Sequence, residues 1–135
     1  MRVVVDTNVV AYLVLGTEPF AQEARSFWHA VADKTAPSQW EAELANTVWI
    51  AVRSGALSAQ EGLTRLDLAA GLGIDSVPNR LLLHGALARS VNSGVAICDT
   101  LFVELADRER LPLATFDKNL LRSFMGIARR PAELT

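Results

Sequence analysis

Four carboxylates stand where a sheet-and-helix chain could build a reactive site: Asp6, Glu43, Asp99 and Asp117. Asp6 ends the β-branched run Val3-Val4-Val5, and a helical pattern starts at once through Val9, Val10, Tyr12, Leu13 and Leu15. Asp117 follows Leu113-Ala114-Thr115-Phe116 in the same way. Ligands of open α/β sheets bind beyond the carboxyl ends of strands, which is where these two acids fall. Asp99 begins a helix whose inward stripe is Leu101, Phe102, Leu105 and Ala106. Glu43 lies on a helix with the stripe Leu44, Ala45, Val48, Ala51 and Val52, and Asn46, three residues on, shares its side. Glu41 is about 200° away around that axis and cannot serve the same site. Each acid has an ordinary explanation: a cap for Asp6 and Asp117, the helix dipole for Asp99, solvation for Glu43. Together they read differently. A parallel sheet brings its strand ends to one edge, and carboxylates gathered there repel and raise one another's pKa. A compensating cation is then required. All-oxygen ligands favour hard divalent ions, Mg²⁺ or Mn²⁺, and no Cys/His spacing suits zinc. Such an ion can acidify water, neutralise a phosphodiester oxygen and stabilise the leaving oxyanion. His29 and His84 flank no strand end and are given no catalytic role.

These acids need a sheet with helices between its strands, and the pattern supplies one. Strands are expected at Arg2–Asp6, Ile74–Val77 and Leu111–Thr115, with a short extended piece at Thr35–Pro37 and an edge strand at Ile127-Ala128. Helices are expected after Asp6, over Glu18–Asp33, from a Ser38 cap to about Ser54, and from a Ser58 cap with Leu63, Leu66 and Leu68 inward. Further helices are expected from an Asn79 cap through Ser90, from Cys98 to Glu109, and over Lys118–Phe124. Strands alternating with helices imply βαβ units and a mostly parallel sheet covered on both faces.

The 135 residues suit one domain, and half are hydrophobic, enough for a sizeable core. A net charge of −2 argues against an indiscriminate nucleic-acid binder but not against a nuclease whose metal meets the phosphates. Arg108, Arg110, Lys118, Arg122, Arg129 and Arg130 crowd the last quarter, either as solvated surface or as a basic rim beside the acidic pocket. One cysteine, Cys98, excludes an intrachain disulfide. No apolar run reaches the length of a membrane span, and Asp6 and Asn8 interrupt the one stretch that imitates a signal peptide. A soluble cytoplasmic protein is expected.

Four ordered blocks carry a resemblance. They are Val4-Val5-Asp6-Thr7-Asn8, then Pro37-Ser38 with Glu43-Leu44-Ala45-Asn46, then Cys98-Asp99-Thr100-Leu101-Phe102-Val103-Glu104-Leu105-Ala106, then Pro112-Leu113-Ala114-Thr115-Phe116-Asp117. In this order, over nearly the whole chain, they resemble the PIN-domain ribonucleases and, among those, the VapC-type toxins of prokaryotic toxin–antitoxin pairs. The resemblance implies a three-layer α/β/α PIN-like fold with a mostly parallel central sheet, spanning residues 1–135 as one domain. It implies a Mg²⁺ or Mn²⁺ site made by Asp6, Glu43, Asp99 and Asp117, with Asn8 orienting Asp6 and Thr115 supporting metal water or phosphate. It further implies an RNA substrate, an inhibitory antitoxin partner and a homodimer. Cys98 stands where the family often has an aromatic residue, and it is expected to pack against the core.

The expected activity is a metal-dependent endoribonuclease in which activated water attacks phosphorus, and the expected role is that of a toxin. A receiver domain would need paired acids after the first strand, where Asp6 stands alone. A haloacid-dehalogenase-type phosphatase would need a second Asp where Asn8 stands. The remaining alternative is a non-catalytic PIN fold kept for protein binding, against which the four intact carboxylates speak.

Overall fold

The strand β1 (Arg2–Val5) forms the middle of a five-stranded sheet. Val3, Val4 and Val5 are fully buried, as a strand covered on both faces must be. The computed structural model, which describes residues 1–135, orders the strands β3-β2-β1-β4-β5, with β2 at Asp33–Pro37, β3 at Asp75–Val77, β4 at Leu113–Ala114 and β5 at Ala128–Arg129. All four pairings are parallel, and Val4 lies between Thr35 of β2 and Leu113 of β4. The carboxyl ends of β1, β2 and β4 therefore open on one edge, the geometry expected from the alternation of strands and helices.

Seven helices cover the sheet: α1 (Thr7–Leu15), α2 (Phe20–Ala30), α3 (Trp40–Arg53), α4 (Ala59–Ala70), α5 (Leu83–Ser93), α6 (Ile97–Glu109) and α7 (Lys118–Ser123). Helix α6 lies against β1, β2 and β4 with α5 packed on it, while α1 packs against α2, α3 and α4. The result is the three-layer α/β/α arrangement. Helix α6 buries every residue from Thr100 to Ala106, including the polar Thr100 and Glu104. Glu104 is held by Arg89 of α5 at 3.0 Å and by Arg108 at 2.7 Å. This is how a nearly buried carboxylate is tolerated. Gly85 of α5 makes room for it: a Cβ there would lie 2.2 Å from the Glu104 carboxyl carbon.

Several local expectations give way to tertiary packing. Ser58 caps α4 in a full capping box with Glu61, as its sequence suggests. Leu63 and Leu68, however, point outward, at 58% and 55% exposure. Gly62 and Ala69 turn inward instead, because α4 sits so close to α3 that a Cβ on Gly62 would be 2.9 Å from Val52. Ser38 does not cap α3, which starts at Trp40 with no side-chain cap. Asn79 opens only a 3₁₀ turn (Asn79–Leu81), ahead of α5. Ser38 and Asn79 bond each other across the ends of β2 and β3, so a tertiary partner outcompetes both local caps. Strand β4 pairs over two residues, and Thr115 and Asp117 lie beyond its end.

Candidate active site

A pocket of about 300 Å³ opens at the carboxyl edge of the sheet, lined by Asp6, Thr7, Asn8, Ala11, Tyr12, Glu43, Thr47, Asp99 and Asp117. The fold thus brings all four candidate carboxylates to one cavity. Asp6 arrives on the end of β1, Glu43 from the first turn of α3, Asp99 from the first turn of α6 and Asp117 from the loop after β4. They line the cavity without closing into a cage, since no three acidic, His or Cys side chains stand close enough to form a ready-made metal cluster.

Asp6 is the buried centre, 6% exposed. Its Oδ1 accepts from the Thr7 amide at 2.7 Å, so the capping explanation is also true of it. Its Oδ2 accepts from the Thr115 hydroxyl at 2.8 Å and from Asn8 Nδ2 at 3.3 Å. Asn8 also donates to Thr115 Oγ1 and accepts from the Phe116 amide, which ties the start of α1 to the loop after β4. Burial pushes the Asp6 carboxyl up to about 7, with the Asp99 and Glu43 charges adding to the rise and the Thr115 and Thr7 hydrogen bonds opposing it.

Glu43 is placed by α1: the Thr7 hydroxyl donates to its Oε1 at 2.7 Å. Burial raises its pKa, and the Asp99 charge adds to this against the Thr7 bond. Asp99 is raised by burial and then by Asp117. Asp117 caps α7, its Oδ1 accepting from the Asn119 and Leu120 amides at 2.8 and 3.1 Å. Its own amide donates to Thr115 Oγ1 at 3.0 Å.

The starts of α3 and α6 are joined by a strut not anticipated from the sequence. Gln39 Nε2 donates to the Cys98 carbonyl, and Asn79 Nδ2 donates to Gln39 Oε1 at 3.3 Å. Gln39 thereby couples the helix carrying Glu43 to the helix carrying Asp99. Thr7 and Thr47 were missed as well. Thr47 stands one turn after Glu43 and donates to its carbonyl, so helical spacing was the available signal. Asn46, chosen on the same reasoning, is exposed and lies outside the lining. The expectation that Cys98 packs in the core is corrected: it is exposed, because α6 turns Leu101, Phe102 and Leu105 onto the sheet instead. None of the C-terminal basic residues lines the pocket, and Arg108 and Arg130 are tied to Glu104 and Glu23.

A cavity with four carboxylates and no cationic side chain has donors that fit a hard divalent cation: all oxygen, mutually repelling and without a protein counter-charge. Raised carboxyl pKa values clustered in a cleft point to a functional site.

The fold and this pocket define an α/β protein with an acidic centre at the carboxyl edge of a parallel sheet. The PIN domain family profile matches residues 3–123, and the chain belongs to that family. Among solved structures it is similar to a toxin–antitoxin complex from Klebsiella pneumoniae, with a TM-score of 0.67 and 19% identity over 96% of this chain and 97% of that one. It is also similar to VapBC2 from Rickettsia felis bound to a DNA fragment from their promoter, with a TM-score of 0.64 and 16% identity over 96% and 98% of the two chains. At these identities the likeness concerns the fold. The sequence matches no protein of curated function. No helix is long and apolar enough to cross a membrane.

Proposed function

We propose that this chain is a Mg²⁺- or Mn²⁺-dependent endoribonuclease and the toxin of a type II toxin–antitoxin pair. The carrying observation is the convergence of Asp6, Glu43, Asp99 and Asp117 on one cavity that holds no cationic side chain. These four would hold the metal. When bound, it would supply charge neutralisation at a phosphodiester and acidify water. The protein's own residues position and tune. Thr115 and Asn8 fix the Asp6 carboxylate, and the Thr7 hydroxyl fixes Glu43. The raised pKa values of Asp6, Glu43 and Asp99 come from burial and neighbouring carboxylates, a strain that a bound cation would relieve.

Family membership and the toxin–antitoxin neighbours support the toxin role and an antitoxin partner; we further propose a homodimer, a cytoplasmic setting and residues 1–135 acting as one PIN-like unit. An antitoxin arginine could pair bidentately with these carboxylates and compete with metal. The test is cleavage of total cellular RNA with Mn²⁺ and with EDTA. Cuts are expected only with metal, leaving 5′-phosphate and 3′-hydroxyl ends, and Asp99→Asn should abolish them. Cyclic 2′,3′-phosphate ends would refute water attack. RNA left intact would favour the protein-binding module. Growth arrest on expression alone, relieved by the product of a neighbouring gene, is the expected outcome for a toxin; no arrest would count against that role while leaving the nuclease untouched.

A further inference from the structure

A pocket that binds a polyanion needs hydrogen-bond donors, yet almost every side-chain donor on this wall is already spent on the protein. The Thr7 hydroxyl donates to Glu43, the Thr47 hydroxyl to the Glu43 carbonyl, and the Asn8 amide to Asp6 and Thr115. Tyr12 alone remains. It lines the same cavity, its hydroxyl makes no hydrogen bond within the protein, and that hydroxyl is not sealed from solvent. Tyr12 is also the one tyrosine of the chain.

Its ring is held by other aromatics. Phe20 lies 4.8 Å away, tilted by 31°, and Phe116 meets it at 5.1 Å and 84°. Phe20 and Phe116 are themselves 5.3 Å apart, and the Arg130 guanidinium lies 4.9 Å from the Phe116 ring centre, closing the cluster from behind. Arg130 is in turn anchored on Glu23 at 2.6 Å. Aromatic pairs at these separations add stability beyond the area they bury. A ring so packed has no need of a hydroxyl for stability, and leaving one on the pocket wall gives a donor whose position costs little to organise. Phe116 follows Thr115, so the cluster braces the strand end that carries the Asp6 support.

On the nuclease reading above, we propose that Tyr12 is a substrate-binding residue. Its hydroxyl donates a hydrogen bond to a phosphate oxygen of a single-stranded RNA whose scissile phosphodiester lies among the carboxylates. The contact is to the backbone, so it confers affinity without choosing a base. A hydrogen bond to a charged acceptor is among the stronger kinds, and its loss is expected to weaken binding about tenfold or more.

The test is Tyr12→Phe, which keeps the ring and its packing. Three readouts are taken: cleavage of a fluorescent mixed-sequence single-stranded RNA with Mn²⁺, anisotropy binding of the same RNA with Ca²⁺ in place of Mn²⁺, and the Mn²⁺-dependent rise in Tm. The expected result is a KM and a Kd each raised about tenfold, with kcat and the Mn²⁺ stabilisation close to wild type. Unchanged KM and Kd would overturn the proposal. Loss of the Mn²⁺ stabilisation would overturn it too, by placing Tyr12 in the metal site. A wild-type protein that neither binds nor cuts RNA, though Mn²⁺ still stabilises it, would remove the nuclease reading and this inference with it. A wild type that cuts while Tyr12→Phe cuts equally well would remove only the inference.

Discussion

Asp6→Asn should stabilise the metal-free protein at neutral pH and destabilise it in acid. Asp6 is buried, and its carboxyl is raised from 3.8 to about 7. The sign follows from linkage. Below 3.8 the group is protonated in both folded and unfolded chains and contributes no difference. As pH rises the unfolded chain loses the proton first, so native stability declines, and the full cost is reached above about 7. At about 1.36 kcal/mol per pH unit, that cost is about 4 kcal/mol. Asparagine removes it, since its side chain carries no charge at any pH. The substitution also loses something independent of pH. An amide offers one acceptor oxygen where Asp6 uses two, for Thr7 on one side and for Thr115 and Asn8 on the other. That loss is about 1–2 kcal/mol. The net is a variant more stable than wild type by about 2–3 kcal/mol at pH 8, less stable by about 0.5–1.5 kcal/mol at pH 4, and equal near about pH 5. Denaturant unfolding in EDTA across this range measures it. Saturating Mn²⁺ should then remove the advantage at pH 8. A ligand at about a hundred times its Kd adds about 2.7 kcal/mol to the wild type, and the variant, with its central carboxylate gone, should gain much less. A stability difference that stays constant from pH 4.5 to pH 8 would refute the buried, charge-penalised Asp6. An equal Mn²⁺ effect on both proteins would refute its role in holding metal.

Other perturbations probe the scaffold around the site. Gly85→Ala should destabilise by about 1–3 kcal/mol through overpacking, since its Cβ meets the Glu104 carboxyl group, which Arg89 and Arg108 hold in place. In a Glu104→Ala background the same change should cost less than half as much, and equal costs in both backgrounds would deny the contact. Gln39→Ala should lower stability by only about 1 kcal/mol, but it should weaken Mn²⁺ binding several-fold, because the starts of α3 and α6 lose their strut. A calorimetric Mn²⁺ titration matching wild type would show that the strut does not position Glu43 and Asp99.

Much of the fold and the outline of the site are local properties, and so the sequence by itself determined them. A fully apolar β-branched run such as Val3–Val5 can be satisfied only inside a covered sheet. The Ser58–Glu61 capping box needs only residues three apart. Alternating strands and helices require parallel pairing, and parallel pairing puts Asp6 and Asp117 on one edge. Everything that depends on a helix's rotation or on a partner far along the chain was left to the tertiary structure. Hydrophobic spacing sets the phase of a helix only to within about one residue, or about 100°. That is why Thr47 rather than Asn46 lines the pocket, why Leu63 and Leu68 face outward once Gly62 admits α3, and why Cys98 is exposed. The bonds that tune the carboxylates join Thr115 to Asp6 and Thr7 to Glu43, across 109 and 36 residues. The raised pKa of Asp6 comes first from burial, a property of the packed whole that no stretch of sequence carries. Tyr12 shows the same division. Its place in an apolar helical pattern is legible, but that its hydroxyl remains unspent on the pocket wall follows only from where Phe20, Phe116 and the other donors come to rest.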